Sequence, residues 1–412
     1  MSVQPGLEPA IKPSEPPKAP SAVYCEHGLP IEVWERVIDH VPYDDVGTLL
    51  SCALTCSAFL KRSRLRLYTR VVLKDDERAQ HFVRAFTSTP ESGGAVRELV
   101  VQGFMFTGPN VDVVPQILPT LTELRTLVVH APIRGDCVAM HACLATARQT
   151  LTALSIQEPR IESLTQLAEF ITSFPNLRAL ALANVQFLDT PDSSQADAPA
   201  RLLALNTLDL KDTLPFVSTE PTRAIVRWVC SVTSMPLRAA RLELALGGAT
   251  ADIVEHIVRA SGAALQTLAL DFGVRGYENV AFDFSALPSL RVLSLRMPTS
   301  AVPTCLYMLT RLPASNRLST LALALRAPDD SSAPGFAFVL PTQRLRPLFA
   351  EKRFPRLQRF FVRWSFNDGP SFERPRRDFP AQHLVYYECL PNAPRRAWTD
   401  DLESIIDRVF EM

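Results

Sequence analysis

Catalysis or metal binding needs side chains that can ligate, carry a proton or attack, held at workable spacing, and this sequence offers few. Cysteine, glutamate and histidine follow one another at Cys25–His27, and Cys137, His141 and Cys143 form a second cluster. Cys137 and His141 are four apart, which places both on one face of a helix, but a tetrahedral zinc site needs four ligands. No Cys-x-x-Cys pair occurs in the chain, so these residues read as structural side chains and no metal is expected. Cys52 and Cys56 share a helix face and read as small core residues, while Cys305 and Cys389 sit among apolar neighbours, the setting of inert thiols. The glycine-rich phosphate loop, the Gly-x-Ser-x-Gly nucleophile turn and the His-Glu-x-x-His zinc helix are all missing from the sequence. The expectation is a non-enzymatic protein with no cofactor.

Two basic clusters bear on binding instead. KRSRLRLYTR, Lys61–Arg70, suits a solvated helix face or a contact strip for an acidic partner edge. The arginines of ERPRR, Arg374–Arg377, lie in an insertion, where their forked donors suit an acidic segment or a phosphate. Against a broad polyanion surface stands the whole-chain balance: 43 Lys and Arg equal 43 Asp and Glu. That balance removes the footprint expected of nucleic-acid or anionic-membrane binding. No apolar run reaches the ~20 residues that cross a bilayer. MSVQPGLEPAIKPSEPPKAP lacks an apolar signal core, the cysteines are sparse and there is no Asn-x-Ser/Thr acceptor. Those features lead us to expect the reducing cytoplasm and/or nucleus.

The elements that position these residues fall into segments. With 412 residues the chain exceeds one ordinary core, and 47% hydrophobic with 21% charged residues suits a folded protein. Residues 1–23 carry six prolines and almost no large apolar side chain, so a disordered tail is expected. Residues 24–70 read as three short helices. Pro30 suits a first helical turn, and Val33, Val37 and Val41 recur every four residues beside Trp34 and Ile38. Pro42 ends that helix, and Asp44 or Asp45 caps a second holding Val46, Leu49, Leu50, Ala53 and Leu54. Ser57 opens a third with Phe59 and Leu60.

Residues 71–396 repeat one pattern, apolar-x-x-apolar-x-apolar, ten times: VRELVV, LRTLVV, LTALSI, LRALAL, LNTLDL, AARLEL, LQTLAL, LRVLSL, LSTLAL and LQRFFV. The central residues are Leu99, Leu127, Leu154, Leu180, Leu208, Leu242, Leu268, Leu293, Leu321 and Phe360. Successive gaps are 28, 27, 26, 28, 34, 26, 25, 28 and 39 residues, a regularity that leucine richness alone would not produce. Alternation within each pattern predicts a half-buried strand. Helices are expected at Cys137–Arg148, Glu162–Ser173, Thr222–Ser231, Ala251–Ser261 and Val302–Leu312. One strand and one helix per unit predict an α/β fold: an irregular leucine-rich-repeat-like solenoid of about ten units. Insertions near Pro191, Ala327 and Asn367 are expected as surface loops, and WTDDLESIIDRVFEM, within 397–412, as a capping helix.

The helical segment resembles the F-box motif through Leu29-Pro30, Glu32, Val33, Val37, Val41-Pro42, Asp45-Val46, Leu49, Leu54, Cys56, Phe59 and Leu67-Tyr68. Phe59 stands where the family has a tryptophan in its third helix, and Leu67-Tyr68 where it has Leu-Trp. The resemblance implies docking on the Skp-type adaptor of a cullin–RING ubiquitin ligase, through the first and third helices. Repeats following an F-box then hold a protein substrate. On this reading the adaptor-binding residues are Leu29, Pro30, Val33, Val37, Ile38, Val46, Leu49 and Phe59, with a cullin reached through the adaptor. The target, and so the substrate-binding residues, stay unassigned. The rival reading is a repeat scaffold whose helical unit is only a cap. A hydrolase or transferase on an irregular α/β fold is a third, which would need a cleft with perturbed acids or bases.

Overall fold

A computed structural model describes residues 29–88, 90–102, 116–130, 144–188, 203–212, 220–234, 236–246, 249–275, 282–298, 301–313, 315–326, 354–357, 359–365 and 385–387. The proline-rich tail, the Cys25–His27 triplet, Cys137, His141 and Cys143, the three insertions, Cys389 and the final helix lie outside these residues. The chain forms two compact units that divide between Thr69 and Arg70.

The first unit is three short helices, α1 (Ile31–His40), α2 (Val46–Thr55) and α3 (Ser57–Leu67). The Pro30 carbonyl accepts from Val33 N, which places the proline where its missing N–H costs nothing. At the start of α2 the Asp45 carboxylate accepts from Thr48 N at 3.1 Å, an N-cap that offsets one orphan donor. Ile38, Leu49 and Phe59 meet in the middle with exposures of 1, 0 and 9%. Around them pack Ile31, Trp34, Val41, Cys52, Cys56, Ala58 and Leu67, with the Trp34 and Phe59 ring centroids 5.5 Å apart. So small a core needs pins. Arg62 supplies one through a two-point pair with Asp39, Nε to Oδ1 at 2.6 Å and Nη2 to Oδ2. Arg66 Nη2 donates to the Val41 carbonyl at 2.8 Å and ties α3 to the end of α1.

The second unit is built on a twelve-stranded sheet. Its strands are β1 (Arg70–Leu73), β2 (Glu98–Gln102), β3 (Thr126–His130), β4 (Ala153–Gln157), β6 (Ala179–Ala183), β8 (Thr207–Asp212), β9 (Ala239–Leu246), β10 (Thr267–Arg275), β11 (Val292–Pro298), β12 (Thr320–Arg326), β13 (Arg359–Ser365) and β14 (Val385–Tyr387). Their spatial order is their chain order; every pair from β1 to β13 is parallel, and only β14 runs antiparallel. Parallel neighbours require a crossover of a dozen or more residues, which is why the repeat cannot be short. Two short strands, β5 (Arg160–Ile161) and β7 (Gln186–Phe187), form a separate parallel pair. They follow left-handed turns at Glu158 and Asn184, each with φ of 53°.

Side-chain alternation sets the core. Val71, Leu99, Leu127, Leu154, Leu180, Leu208, Ala240, Leu268, Leu293, Leu321 and Phe360 are register partners through eleven strands. From Val71 to Leu321 each of these side chains is buried. All ten repeat patterns lie on strands, but one sits in a different frame. Ala240, not Leu242, is level with Leu208 and Leu268, so the unit begins at Leu237 as LRAARL. Ala240, Leu242 and Leu244 all face the core, so alternation alone does not separate frames two residues apart.

Among the described residues this unit also carries five α-helices: α4 (Asp76–Ser88), α5 (Leu164–Thr172), α6 (Glu220–Val232), α7 (Ala249–Ser261) and α8 (Val302–Thr310). Four overlap the expected helices and α4 is additional. Residues 144–150, the described end of the expected Cys137–Arg148 helix, form turns.

Candidate functional site

Nine large apolar side chains are exposed among the described residues, and seven lie between Leu29 and Leu54. Scattered exposed leucines are ordinary, whereas clustering in so short a segment marks a surface meant to be covered. Leu29, Val33 and Val37 recur every four residues through α1, and Val46, Leu50 and Leu54 do the same on α2. Val37 is 52% exposed and Leu54 is 86% exposed. Pro30 is exposed beside Leu29, and Tyr43 is exposed between the two helices.

Five of the eight expected docking residues therefore stand at the surface: Leu29, Pro30, Val33, Val37 and Val46. The other three do not. Ile38, Leu49 and Phe59 are the core of the unit, so they support the exposed stripes from beneath instead of contributing to them. The reason is geometric: Ile38 follows Val37 by one residue, which turns it about 100° around the helix, and Leu49 and Leu50 are related the same way. Leu50 and Leu54 extend the second stripe; their spacing from Val46 was the sequence signal for them. The expected contribution of the third helix rested on Phe59, and its burial leaves the exposed apolar stripes on α1 and α2.

Electrostatics within the unit hold the stripes in place. The hydrogen bond from Arg62, opposed by desolvation and aided by its charge, keeps the Asp39 carboxyl below the usual carboxylate range. Of the basic run, Arg62 and Arg66 are engaged as described, Arg70 pairs with Glu98 at 3.1 Å, and Lys61 and Arg64 are exposed.

Groups suited to chemistry elsewhere have structural partners. Asp212 is buried and its carboxyl is raised by desolvation, while the Thr222 hydroxyl donates to it at 3.2 Å and ties the end of β8 to α6. Burial pushes the Cys230 thiol up to about 11 and the Cys305 thiol up to about 12, so both are held as unreactive thiols. A cleft between α6 and α7 is lined by Arg223, Arg227, Asp252, Glu255, His256 and Arg259. Its charges largely neutralise one another: Arg223 reaches Glu220 and, at 3.9 Å, Asp252, and Arg259 pairs with Glu255. Among the described residues no three His, Cys, Asp or Glu side chains converge as metal ligands, and no helix is long and apolar enough to cross a membrane. Compared with known proteins, the sequence matches no family model and no curated relative.

Proposed function

We propose that this chain is a non-catalytic substrate receptor of a cullin–RING ubiquitin ligase, acting in the cytoplasm and/or nucleus. The first unit serves as an F-box that docks on a Skp-type adaptor. The second serves as a leucine-rich-repeat-like solenoid that holds a target protein. The observation that carries the reading is the pair of apolar stripes, Leu29/Val33/Val37 and Val46/Leu50/Leu54, on helices whose own core is already complete. An interface core is apolar and depleted of charge, and these stripes supply that composition. Supporting the receptor half is the sheet, whose strands follow one another in chain order, as the units of a stacked repeat array do. The mechanism is proximity: holding a target beside the ligase raises the effective concentration of its lysines at the charged conjugating enzyme.

The test is capture of the purified full chain by an immobilised Skp-type adaptor, beside a Val33→Asp/Leu50→Asp double variant. Both positions are exposed, so the variant keeps the wild-type circular dichroism spectrum. Capture of wild type and loss of the variant support docking. Failure of wild type to bind removes the ligase reading and leaves a repeat scaffold.

A further inference from the structure

The entry edge of the sheet carries a row of arginines that neither the apolar stripes nor the core accounts for. Arg97, Arg125, Arg178, Arg238 and Arg291 occupy the same position, two residues before the central core residue and immediately before β2, β3, β6, β9 and β11. The same position holds Thr152, Asn206, Gln266 and Ser319 on the strands between and beyond them, all uncharged. Arg317 and Arg356 add two more cations, two residues further out on the approaches to β12 and β13. The backbone of the row is locked. Each carbonyl from Arg97 to Arg291 accepts two N–H groups from the next strand, as Arg125 O does from Thr152 N at 2.8 Å and Ala153 N at 3.0 Å.

The charge on this edge is one-sided in a chain whose formal charge is zero. From four residues to one residue before the central core position, on β2 through β12, the acids are Glu98 and Glu123. Both are already committed, Glu98 to Arg70 and Glu123 to Arg97. Arg125, Arg178, Arg238, Arg291, Arg317 and Arg356 are exposed, and none has an ion pair or side-chain hydrogen bond among the described residues. Unneutralised cations held in a line raise the local concentration of an anionic partner.

Spacing selects the partner. Neighbouring strands lie about 4.8 Å apart, so Arg125, Arg178, Arg238 and Arg291, each two strands from the next, recur at about 9.6 Å. A polyproline II segment advances about 9.3 Å in each three-residue turn and returns every third side chain to the same face, so carboxylates at every third position meet successive arginines. Single-stranded nucleic acid is bound by cationic grooves interleaved with aromatic platforms, and no aromatic side chain occupies these positions from β2 to β12.

We propose that this arginine row binds an extended acidic protein segment, with Asp or Glu near every third residue, laid across the strands. As the identity of a ligase target this rests on the receptor reading above; as a binding activity it does not.

The experiment is fluorescence anisotropy of the full chain with a labelled proline-rich peptide of about twelve residues carrying an acid at every third position. A peptide of the same composition with its acids contiguous is the control. Binding is expected, weakening as salt rises, and the control binds more weakly. Arg178→Ala/Arg238→Ala lowers affinity about 4- to 25-fold, two- to fivefold for each exposed pair. Glu123→Gln, which releases Arg97, strengthens binding about twofold, a gain that misfolding cannot mimic. No binding, equal binding of the control, or an affinity unchanged by the arginine variants overturns the proposal. Tighter binding of an oligothymidylate with the same arginine dependence overturns it in favour of nucleic acid. Adaptor binding is measured separately, so peptide binding without adaptor binding defeats the receptor reading and leaves this one standing.

Discussion

Leu49 and Leu54 lie five residues apart on one helix, and the same substitution at each is expected to give opposite results. Leu49 is fully buried against Ile38 and Phe59, so Leu49→Ala removes core contacts and leaves a cavity. Such changes cost about 2–5 kcal/mol. That loss falls on a unit with three buried apolar side chains at its centre. Leu54 is 86% exposed, so Leu54→Ala changes folding by less than about 0.5 kcal/mol. If an adaptor covers it, most of a leucine side chain leaves water. Full burial stabilises by about 1.5–3 kcal/mol, and alanine keeps only the first carbon, so the binding loss is about 1–2 kcal/mol. That is roughly 5- to 30-fold in Kd. Two assays separate the cases: hydrogen exchange of amides across Ile31–Leu67 in the free protein, and calorimetric titration with a Skp-type adaptor. Leu49→Ala should speed local exchange by at least about 30-fold, and Leu54→Ala should leave exchange alone and weaken binding. Faster exchange in Leu54→Ala with unchanged adaptor affinity would refute the assignment of the α2 stripe.

Other outcomes follow from the same contacts. Asp39→Asn loosens α1 from α3 by less than about 1 kcal/mol, because both partners are partly solvated, and exchange at the α1 amides measures it. Asp39 has a folded-state pKa below its unfolded one, so its contribution is present above the unfolded value near 3.9 and is lost as pH falls through the folded one. The wild-type advantage over Asp39→Asn should therefore persist at pH 6 and fade in titrations below about pH 4. Glu158 holds φ at 53°, so Glu158→Gly should not lower the melting temperature of the second unit, whereas Glu158→Val should, by about 1–2 kcal/mol in denaturant melts. A methyl at Gly93 would meet the Thr120 carbonyl oxygen at 2.5 Å, so Gly93→Ala should destabilise that unit by about 1–3 kcal/mol, read the same way. Cys305 should resist iodoacetamide at pH 8 in the native protein and react fully in denaturant, as followed by peptide mass spectrometry.

The strands were legible because a core-facing leucine every second residue, repeated at crossover distance, admits little else. Where the repeat thinned, the reading failed in specific ways. β1 carries the same pattern in YTRVVL, 28 residues before VRELVV when Val71 is set against Leu99, but its aromatic start and basic neighbours placed it with the helical segment. In β9 an alanine occupies the level of the leucines beside it, and the frame slipped by two because alternation fixes a face and not a register. The α4 helix, DERAQHFVRAFTS, packs through Ala79, Phe82 and Phe86, a stripe too sparse to stand out. In the first unit the helical period reads as one apolar stripe per helix, whereas Val37 and Ile38, like Leu50 and Leu49, fall on different faces, and which face is core depends on how three helices meet. That is a tertiary fact: Ile38, Leu49 and Phe59 are as apolar as Val37, Leu50 and Leu54, and only packing distinguishes them. The arginine row was invisible for a related reason, since its members are 28 to 60 residues apart in sequence and become neighbours only through strand order.

Central to this account is that the first unit is a docking module and not a cap. The most direct measurement is a hydrogen–deuterium exchange footprint of the full chain with a purified Skp-type adaptor. The account predicts slowed exchange concentrated in Ile31–His40 and Val46–Thr55, with the amides of the second unit unchanged. Absence of a complex, or protection confined to the second unit while α1 and α2 exchange as in the free chain, would contradict it.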